Sequence, residues 1–428
     1  MNDFLSSKHS PSTAILHYTA SPVIGGVEAV IAAHTKIFAR SGYPAAVVVG
    51  RGNKALLPAG VGFHKLPLMD SQHKAVLAIN TQLEKGNIPS TFMPMVEEIE
   101  AQLTPILCTF DNVVLHNLFT KHFNLPLTAA LYRLIDNGTI HHCIAWCHDF
   151  TWTSPNSRDR VHPGYPWDLL RTYREEITYV VVSKRRQQVL ADLLGCDKEK
   201  IHVVYNGVEP HTLLGLSEEG ADLIRRLELW PADLILLMPV RITQAKNIEY
   251  ALEVVAALRN LGTDARLVIT GPPDPHDEQS MAYFDSLRQL RQQLGLNEAV
   301  HFVFESGHDP HQPYTINAQV VGDLYRVSDL LFMPSHREGF GMPILEAGLV
   351  GIPIVCTNVP AAEEIGGEDV LLFSEALSPR ELSQRITTWV EENSIYRLRR
   401  RVRKRYTWQA IFDQAIRPLL KDRGEHCD

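Results

Sequence analysis

Two series of short, uninterrupted apolar segments, broken at Asn206-Gly207, constrain this chain more than any other feature. The first series runs Ala14–Tyr18 (AILHY), Ala45–Val49 (AAVVV), Asn112–Leu115 (NVVL), Cys143–Cys147 (CIAWC), Val180–Val182 and His202–Tyr205 (HVVY). The polar stretch Glu209–Glu228 follows, and then the pattern restarts. Leu234–Met238 (LILLM), Arg266–Thr270 (RLVIT), His301–Phe304 (HFVF), Leu330–Met333 (LLFM) and Pro353–Cys356 (PIVC) make the second series. Helix-period stretches lie between, such as Val27, Val30, Ile31, Ile37 and Phe38, or Ile248, Ala251, Leu252, Val255 and Leu258. Strands apolar on both faces, alternating with helices, predict parallel sheets covered on both sides. The restart predicts two such doubly wound domains, with a linker near residues 206–212. Ligands in these folds bind beyond the carboxyl ends of the strands. With two domains facing each other, that place is the cleft.

At 428 residues the chain is too long for one ordinary core, which fits two domains of roughly 200 residues each. Hydrophobic content of 45% and charged content of 21% are those of a soluble globular protein. The formal net charge of −8 argues against nucleic acid as a partner. The N-terminal segment MNDFLSSKHSPS has no apolar run of signal-peptide length. No stretch approaches the ~20 apolar residues of a membrane span. A cytoplasmic location is the expectation. Six cysteines are too few for a disulfide framework.

The stretch HHCIAWCHDF, residues 141–150, concentrates His141, His142, Cys143, Cys147, His148 and Asp149. A strand over CIAWC puts Cys143, Ala145 and Cys147 on one face, with Ile144, Trp146 and His148 on the other. Four residues at ~3.3 Å each separate the two cysteines by about 13 Å, too far to share a metal ion. Three readings stay open for His148: a metal ligand, a structural histidine at a strand end, or a functional group where the strand exits into the crevice.

Two further elements carry chemistry. After LILLMPV come Arg241 and Lys246, two cations at a strand-to-helix junction. Together with a helix N-terminus they suit a diphosphate, although a pair of solvated surface charges would look the same. Next, Glu338-Gly-Phe-Gly-Met-Pro-Ile-Leu-Glu346 sets two carboxylates eight residues apart. Pro343 suits the first turn of a helix, which puts Glu338 on the preceding loop and Glu346 within that turn. Gly339 and Gly341 let backbone approach a ligand closely. The carboxylates then reach different parts of one elongated ligand, accepting hydrogen bonds from hydroxyls such as those of a sugar or ribose. A capping carboxylate beside a solvated one is the alternative.

These residues resemble the retaining glycosyltransferases of family 4. The E-x7-E element lies in PSHREGFGMPILEAGLVGIPIV, accompanied by VRITQAKN at 240–247, YNGVE at 205–209, GGVE at 25–28, a histidine ending a strand at His148, and YTWQAIFDQ at 406–414. The resemblance implies the two-domain GT-B fold. Residues 1–208 would form an acceptor-binding domain and 209–395 a nucleotide-sugar-binding domain, with 396–428 a helical segment returning to the first. By position, Arg241 and Lys246 would neutralise the donor diphosphate, Glu346 would hold the ribose, and Glu338 would contact the transferred sugar. Backbone around Phe340, Gly341 and Met342 would line the sugar and phosphate path. Gly25 and Gly26 would admit donor and acceptor, and His148 would hydrogen-bond the sugar near the reacting carbon.

The expected activity is hexosyl transfer from a nucleoside diphosphate sugar, of UDP-glucose or GDP-mannose type, to a small acceptor. The chain contains no DxD tripeptide. No metal and no cofactor are therefore expected, the fixed cations standing in at the diphosphate. The longer segments Pro272–Tyr283 and Ser306–Ala318 resemble the branch making small glycosides, including sucrose-phosphate-synthase-like enzymes. Arg158, Arg160, Arg171, Arg174, Lys184, Arg185 and Arg186 are read as solvated charge or, in one or two cases, as a grip on an anionic acceptor such as a sugar phosphate. YRLRRRVRKRY at 396–406 holds seven cations between Arg397 and Arg405. It reads as a solvated helix face or as a peripheral contact with anionic membrane. A sugar phosphorylase, a nucleotide-sugar epimerase, or a transferase acting on a lipid or polysaccharide acceptor are the competing activities.

Overall fold

A computed structural model describes residues 10–309 and 312–422. The first nine residues, within the segment read for a targeting signal, lie outside the described residues. So do residues 310–311 of the second longer segment and residues 423–428 of the returning segment. The chain divides into two compact units, Met1–Gly207 with Trp408–Asp428, and Val208–Thr407.

The first unit has seven strands: β1 (Thr13–Thr19), β2 (Ala45–Arg51), β3 (Gly62–Lys65), β4 (Asn112–His116), β5 (Cys143–Cys147), β6 (Ile177–Val181) and β7 (Ile201–Val203). They form one sheet in the order β3-β2-β1-β4-β5-β6-β7, every pair parallel. The second unit repeats the plan with β8 (Leu234–Met238), β9 (Ala265–Ile269), β10 (Val300–Phe302), β11 (Leu330–Met333), β12 (Ile354–Thr357) and β13 (Leu371–Phe373). Its order is β10-β9-β8-β11-β12-β13, again all parallel. In each sheet the strand order reverses beside the first strand, between β1 and β4 and between β8 and β11. Such a switch point opens a crevice at the carboxyl ends.

The alternation within each strand explains the uninterrupted apolar runs. Leu234, Leu236 and Met238 enter one core of the second unit, while Ile235 and Leu237 enter the core on the other face. In β5, Cys143, Ala145 and Cys147 face one core and Ile144 and Trp146 the other. Each fully buried Leu or Ile contributes roughly 1.5–3 kcal/mol.

The crossover is anchored by the same apolar chemistry. Trp408, Ile411, Phe412 and Ile416 pack with Val30, Phe38, Val114, Ile144 and Trp146 of the first unit. Asn112 and Lys421 exchange two hydrogen bonds, of 3.0 and 2.9 Å. A Cβ on Gly207 would lie 2.9 Å from the backbone N of Trp408, so only glycine fits where the chain passes itself.

The returning segment starts later than the sequence predicts, at Trp408 instead of residue 396. The helix Ser394–Arg405 belongs to the second unit, and its cations say why. Arg403 is buried and donates to both oxygens of Asp329 at 2.9 Å, and also to the carbonyls of Ala232 and Asp233. Arg400 and Lys404 pair with Asp233 at 3.0 and 2.6 Å, and Arg399 donates to the carbonyl of Arg326. Most of this basic run is a clamp on its own unit, unlike the solvated face the sequence suggests. Among the described residues, no helix is long and apolar enough to cross a membrane.

Candidate functional site

In the second unit the predicted residues sit on the two loops flanking the switch point. β8 runs through Arg241 into a 3-10 turn, Gln244–Lys246, and then into the helix Ile248–Asn260. β11 leads into the loop carrying Glu338, and the helix Met342–Val350 follows. The two loops are tied together, for the backbone N–H of His336 donates to the carbonyl of Ala245 at 3.0 Å.

Across these loops Lys246 Nζ donates to Glu338 Oε1 at 2.7 Å, with the Glu338 side chain only 9% exposed. The sequence assigned these two groups to different parts of a ligand; the structure pairs them directly. Arg241 has another neighbour. Its side chain is 60% exposed and lies 3.9 Å from Asp274 Oδ1, in the first of the two longer segments.

Glycine shapes the loop between the carboxylates. Gly341 has φ 85°, a left-handed conformation that side chains resist, and it caps the helix without a side-chain hydrogen bond. Pro343, in the first turn, has no N–H to satisfy, and the Ile344 N–H donates back to the Gly341 carbonyl at 2.9 Å. A Cβ on Gly339 would touch nothing within 4 Å. Phe340 and Met342 are exposed. Glu346 stands one position beyond the first turn, because the helix begins at Met342 and not at Pro343. It accepts a 2.7 Å hydrogen bond from Tyr325, whose hydroxyl pKa is pushed up by burial and by that carboxylate. Tyr325 was not singled out in the sequence; it lies inside a helix whose period reads as core.

In the first unit, Gly25 and Gly26 stand at the start of the helix Gly26–Arg40, after β1. Gly25 is extended, and a Cβ there would strike the Glu28 carboxylate; one on Gly26 would meet nothing within 4 Å. Glu28 accepts from Thr19 Oγ1 at 2.5 Å and lies 3.9 Å from His17 Nε2.

His148 is buried and belongs to a row of histidines at the carboxyl ends of adjacent strands β1, β4 and β5. His17 Nδ1 donates to the His116 carbonyl at 2.8 Å, and His116 Nδ1 shares a hydrogen bond with His148 Nε2 at 3.0 Å. Asn117, left-handed at φ 60°, accepts from the backbone N–H groups of His148 and Asp149 at 2.7 and 3.2 Å. Burial, chiefly, lowers the His148 pKa to about 4, and it holds His116 well below the usual range, so both rings are neutral near pH 7. The sequence reading ended the fourth strand at Leu115 and missed His116 by one residue. Histidines closing neighbouring strands were the available signal.

Burial likewise pushes the Cys147 thiol up to about 12 and raises Cys143, which leaves them as protonated core groups. Of the basic tract, Arg174 pairs with Asp136 and Glu176, Arg171 with Asp168, Arg160 with Glu84 and Arg158 with Asp159. Arg186 reaches the strand-end loop, donating to Asp149 Oδ1 at 2.9 Å. Lys121 lies in the same electrostatic neighbourhood; its pKa is lowered mainly by burial, with Asp149 opposing and Arg186 reinforcing.

Known proteins place these loops in context. Residues 222–407 match the family described as Glycosyl transferases group 1. The chain is 24% identical over 344 residues to mannosylglucosylglycerate synthase of Petrotoga mobilis, covering 74% of each protein. It is 28% identical over 200 residues to an uncharacterized glycosyltransferase of Methanocaldococcus jannaschii, covering 46% of each. To D-inositol 3-phosphate glycosyltransferase of Stackebrandtia nassauensis it is 29% identical over 190 residues, 43% of this chain and 39% of that protein. The chain thus spans less than half the length of two of these three relatives. The region that matches this family contains Arg241, Lys246, Glu338 and Glu346.

Proposed function

We propose that this chain is a retaining hexosyltransferase that moves a sugar from a nucleoside diphosphate to a small, anionic acceptor. The observation that carries the reading is the Lys246–Glu338 pair, 2.7 Å apart on the two loops beside the switch point of the second sheet. A cation and a carboxylate poised together suit a sugar diphosphate. The cation meets the diphosphate, and the carboxylate accepts from sugar hydroxyls. When the sugar–phosphate bond breaks, negative charge grows on the leaving diphosphate. Lys246, Arg241 and the positive dipole end of the helix Met342–Val350 are fixed positive groups for that charge, without a metal requirement. Glu346, already oriented by Tyr325, keeps acceptor capacity for ribose hydroxyls.

On the first unit, neutral His148 supplies a hydrogen bond to the transferred sugar. Lys121 and Arg186, with Asp149 between them electrostatically, form the cationic side of an acceptor site next to it. An acceptor carrying a phosphate or carboxylate fits those charges. Among the relatives, one is named for an inositol 3-phosphate and another for a glycerate product, which supports an anionic acceptor.

The deciding experiment titrates a panel of nucleoside diphosphate sugars by thermal shift, then measures nucleoside diphosphate release with and without candidate acceptors. Stabilisation by one donor and acceptor-dependent release are expected. Release at the same rate without acceptor, or transfer abolished specifically by chelator, would overturn the proposal.

A further inference from the structure

We infer that His116 is a positioning residue that fixes the tautomer of His148, holding Nε2 of His148 as acceptor and Nδ1 as its protonated, donating nitrogen. The inference rests on the transferase reading only for its kinetic arm. The two rings lie nearly parallel, at 22°, with His116 Nδ1 3.0 Å from His148 Nε2. One nitrogen donates and the other accepts, which allows two arrangements of neutral rings. Either His116 carries its proton on Nδ1 and donates, or His148 donates from Nε2 and the His116 proton sits on its own Nε2.

The surroundings choose between them. His116 Nε2 is buried and has no hydrogen-bond partner among the described residues. The second arrangement would strand an N–H there, and orphaned buried N–H groups are rarer than under-used acceptors. The Trp146 ring packs beside His116, 5.7 Å between centroids, and its Nε1–H also has no hydrogen-bond partner among the described residues. A second stranded donor in the same cluster would compound that cost, whereas a bare lone pair on His116 does not. Protonation of either ring, which would blur the choice, is opposed by burial.

The backbone locks both partners in place. His17 Nδ1–H donates to the His116 carbonyl, and Asn117 Oδ1 takes the N–H groups of His148 and Asp149. His148 therefore offers an N–H from Nδ1, the polarity required to donate to a sugar hydroxyl oxygen. The solution preference of a free neutral imidazole is not what sets it.

The test labels histidine isotopically and assigns the protonated nitrogen of His148 by long-range NMR correlations, in the full chain and in His116→Asn and His116→Phe. Asparagine keeps a donor at a similar reach, and phenylalanine keeps the ring without one. Wild type and His116→Asn are expected to show His148 protonated on Nδ1, and His116→Phe a shift toward Nε2. In the kinetic arm, kcat should fall about 10- to 100-fold in His116→Phe, the usual size of losing a partner that orients a functional imidazole. The donor KM should hold, and His116→Asn should recover most of the rate. Wild-type His148 protonated on Nε2, or a His116→Phe protein with unchanged kcat and tautomer, would overturn the inference. A wild type with no transfer activity would defeat the transferase reading instead, and the NMR arm would still decide this one.

Discussion

Lys246 Nζ and Glu338 Oε1 stand 2.7 Å apart, the lysine 21% and the carboxylate 9% exposed, joining loops that follow two different strands of the second sheet. A pair this sheltered holds each partner ready, but it also sets them in competition. The lysine that would meet a diphosphate is already satisfied by a carboxylate, so ligand binding has to share or redirect it.

That competition separates two variants. In Glu338→Gln the lysine is released, and binding of nucleoside diphosphate alone should match or exceed wild type. Binding of the sugar-bearing donor should weaken, and turnover should fall on the order of 100-fold, a typical loss for one transition-state contact. In Lys246→Gln the diphosphate itself should bind at least about tenfold more weakly, since a charge-assisted contact contributes roughly 1.5–3 kcal/mol. Calorimetric titration with the diphosphate and the intact donor distinguishes these. Equal losses of diphosphate binding in both variants would count against the assignment.

The neighbouring glycines should respond in opposite ways. Gly341→Ala forces a side chain into φ 85° and brings Cβ to 3.1 Å from Ile344 Cδ1. A stability loss of roughly 1–3 kcal/mol is expected. Gly339→Ala meets no protein atom within 4 Å and should leave the melting temperature nearly unchanged while weakening donor binding. Denaturant titration together with donor titration checks both. A Gly339→Ala protein that binds donor normally would show that no ligand passes at that residue.

How far the sequence could be read follows from the kind of signal each element left. Central strands such as Leu234–Met238, Cys143–Cys147 and Leu330–Met333 were legible because both their faces are buried. Edge strands β3 and β13, of four and three residues, are too short and too exposed to stand out and were missed. The loops carrying Arg241, Lys246, Glu338 and Glu346 could be found from spacing and glycine placement. Their mutual pairing could not, because Lys246 and Glu338 are 92 residues apart and meet only through strand order. The same limit hid His17 and His116, which become neighbours of His148 only because β1, β4 and β5 are adjacent. Arg403 looked solvated because its partner, Asp329, lies at the start of a distant strand.

Arg403 gives the sharpest stability prediction. Its guanidinium and Asp329 are both nearly fully buried, and two 2.9 Å hydrogen bonds join them. Arg403→Met leaves a buried carboxylate uncompensated and should cost about 3–5 kcal/mol. The exposed Arg401 and Arg405 should tolerate the same change within about 0.5 kcal/mol. Urea unfolding measures all three. If Arg403→Met is no worse than Arg405→Met, the run is surface charge after all, and co-sedimentation with anionic vesicles becomes the relevant assay.

Acid should act on the first unit through its buried histidines. The pKa is about 3 for His34 and about 4 for His148, each lowered chiefly by burial from an unfolded value near 6.5. Between those limits the unfolded chain binds more protons than the folded one, so stability rises with pH across the window and falls on acidification below about 6.5. At its steepest, each such histidine contributes a slope of about 1.4 kcal/mol per pH unit. Replacing His148 with Gln removes one titrating group. The urea midpoint of that variant should therefore decline less steeply than wild type from pH 6.5 to 4. Parallel profiles would mean that His148 is protonated as readily in the folded protein as in the unfolded chain. The neutral, hydrogen-bonding role assigned to it would then fail at mildly acidic pH, and kcat would fall there with an apparent pKa near 6.5 instead of holding down to about 4.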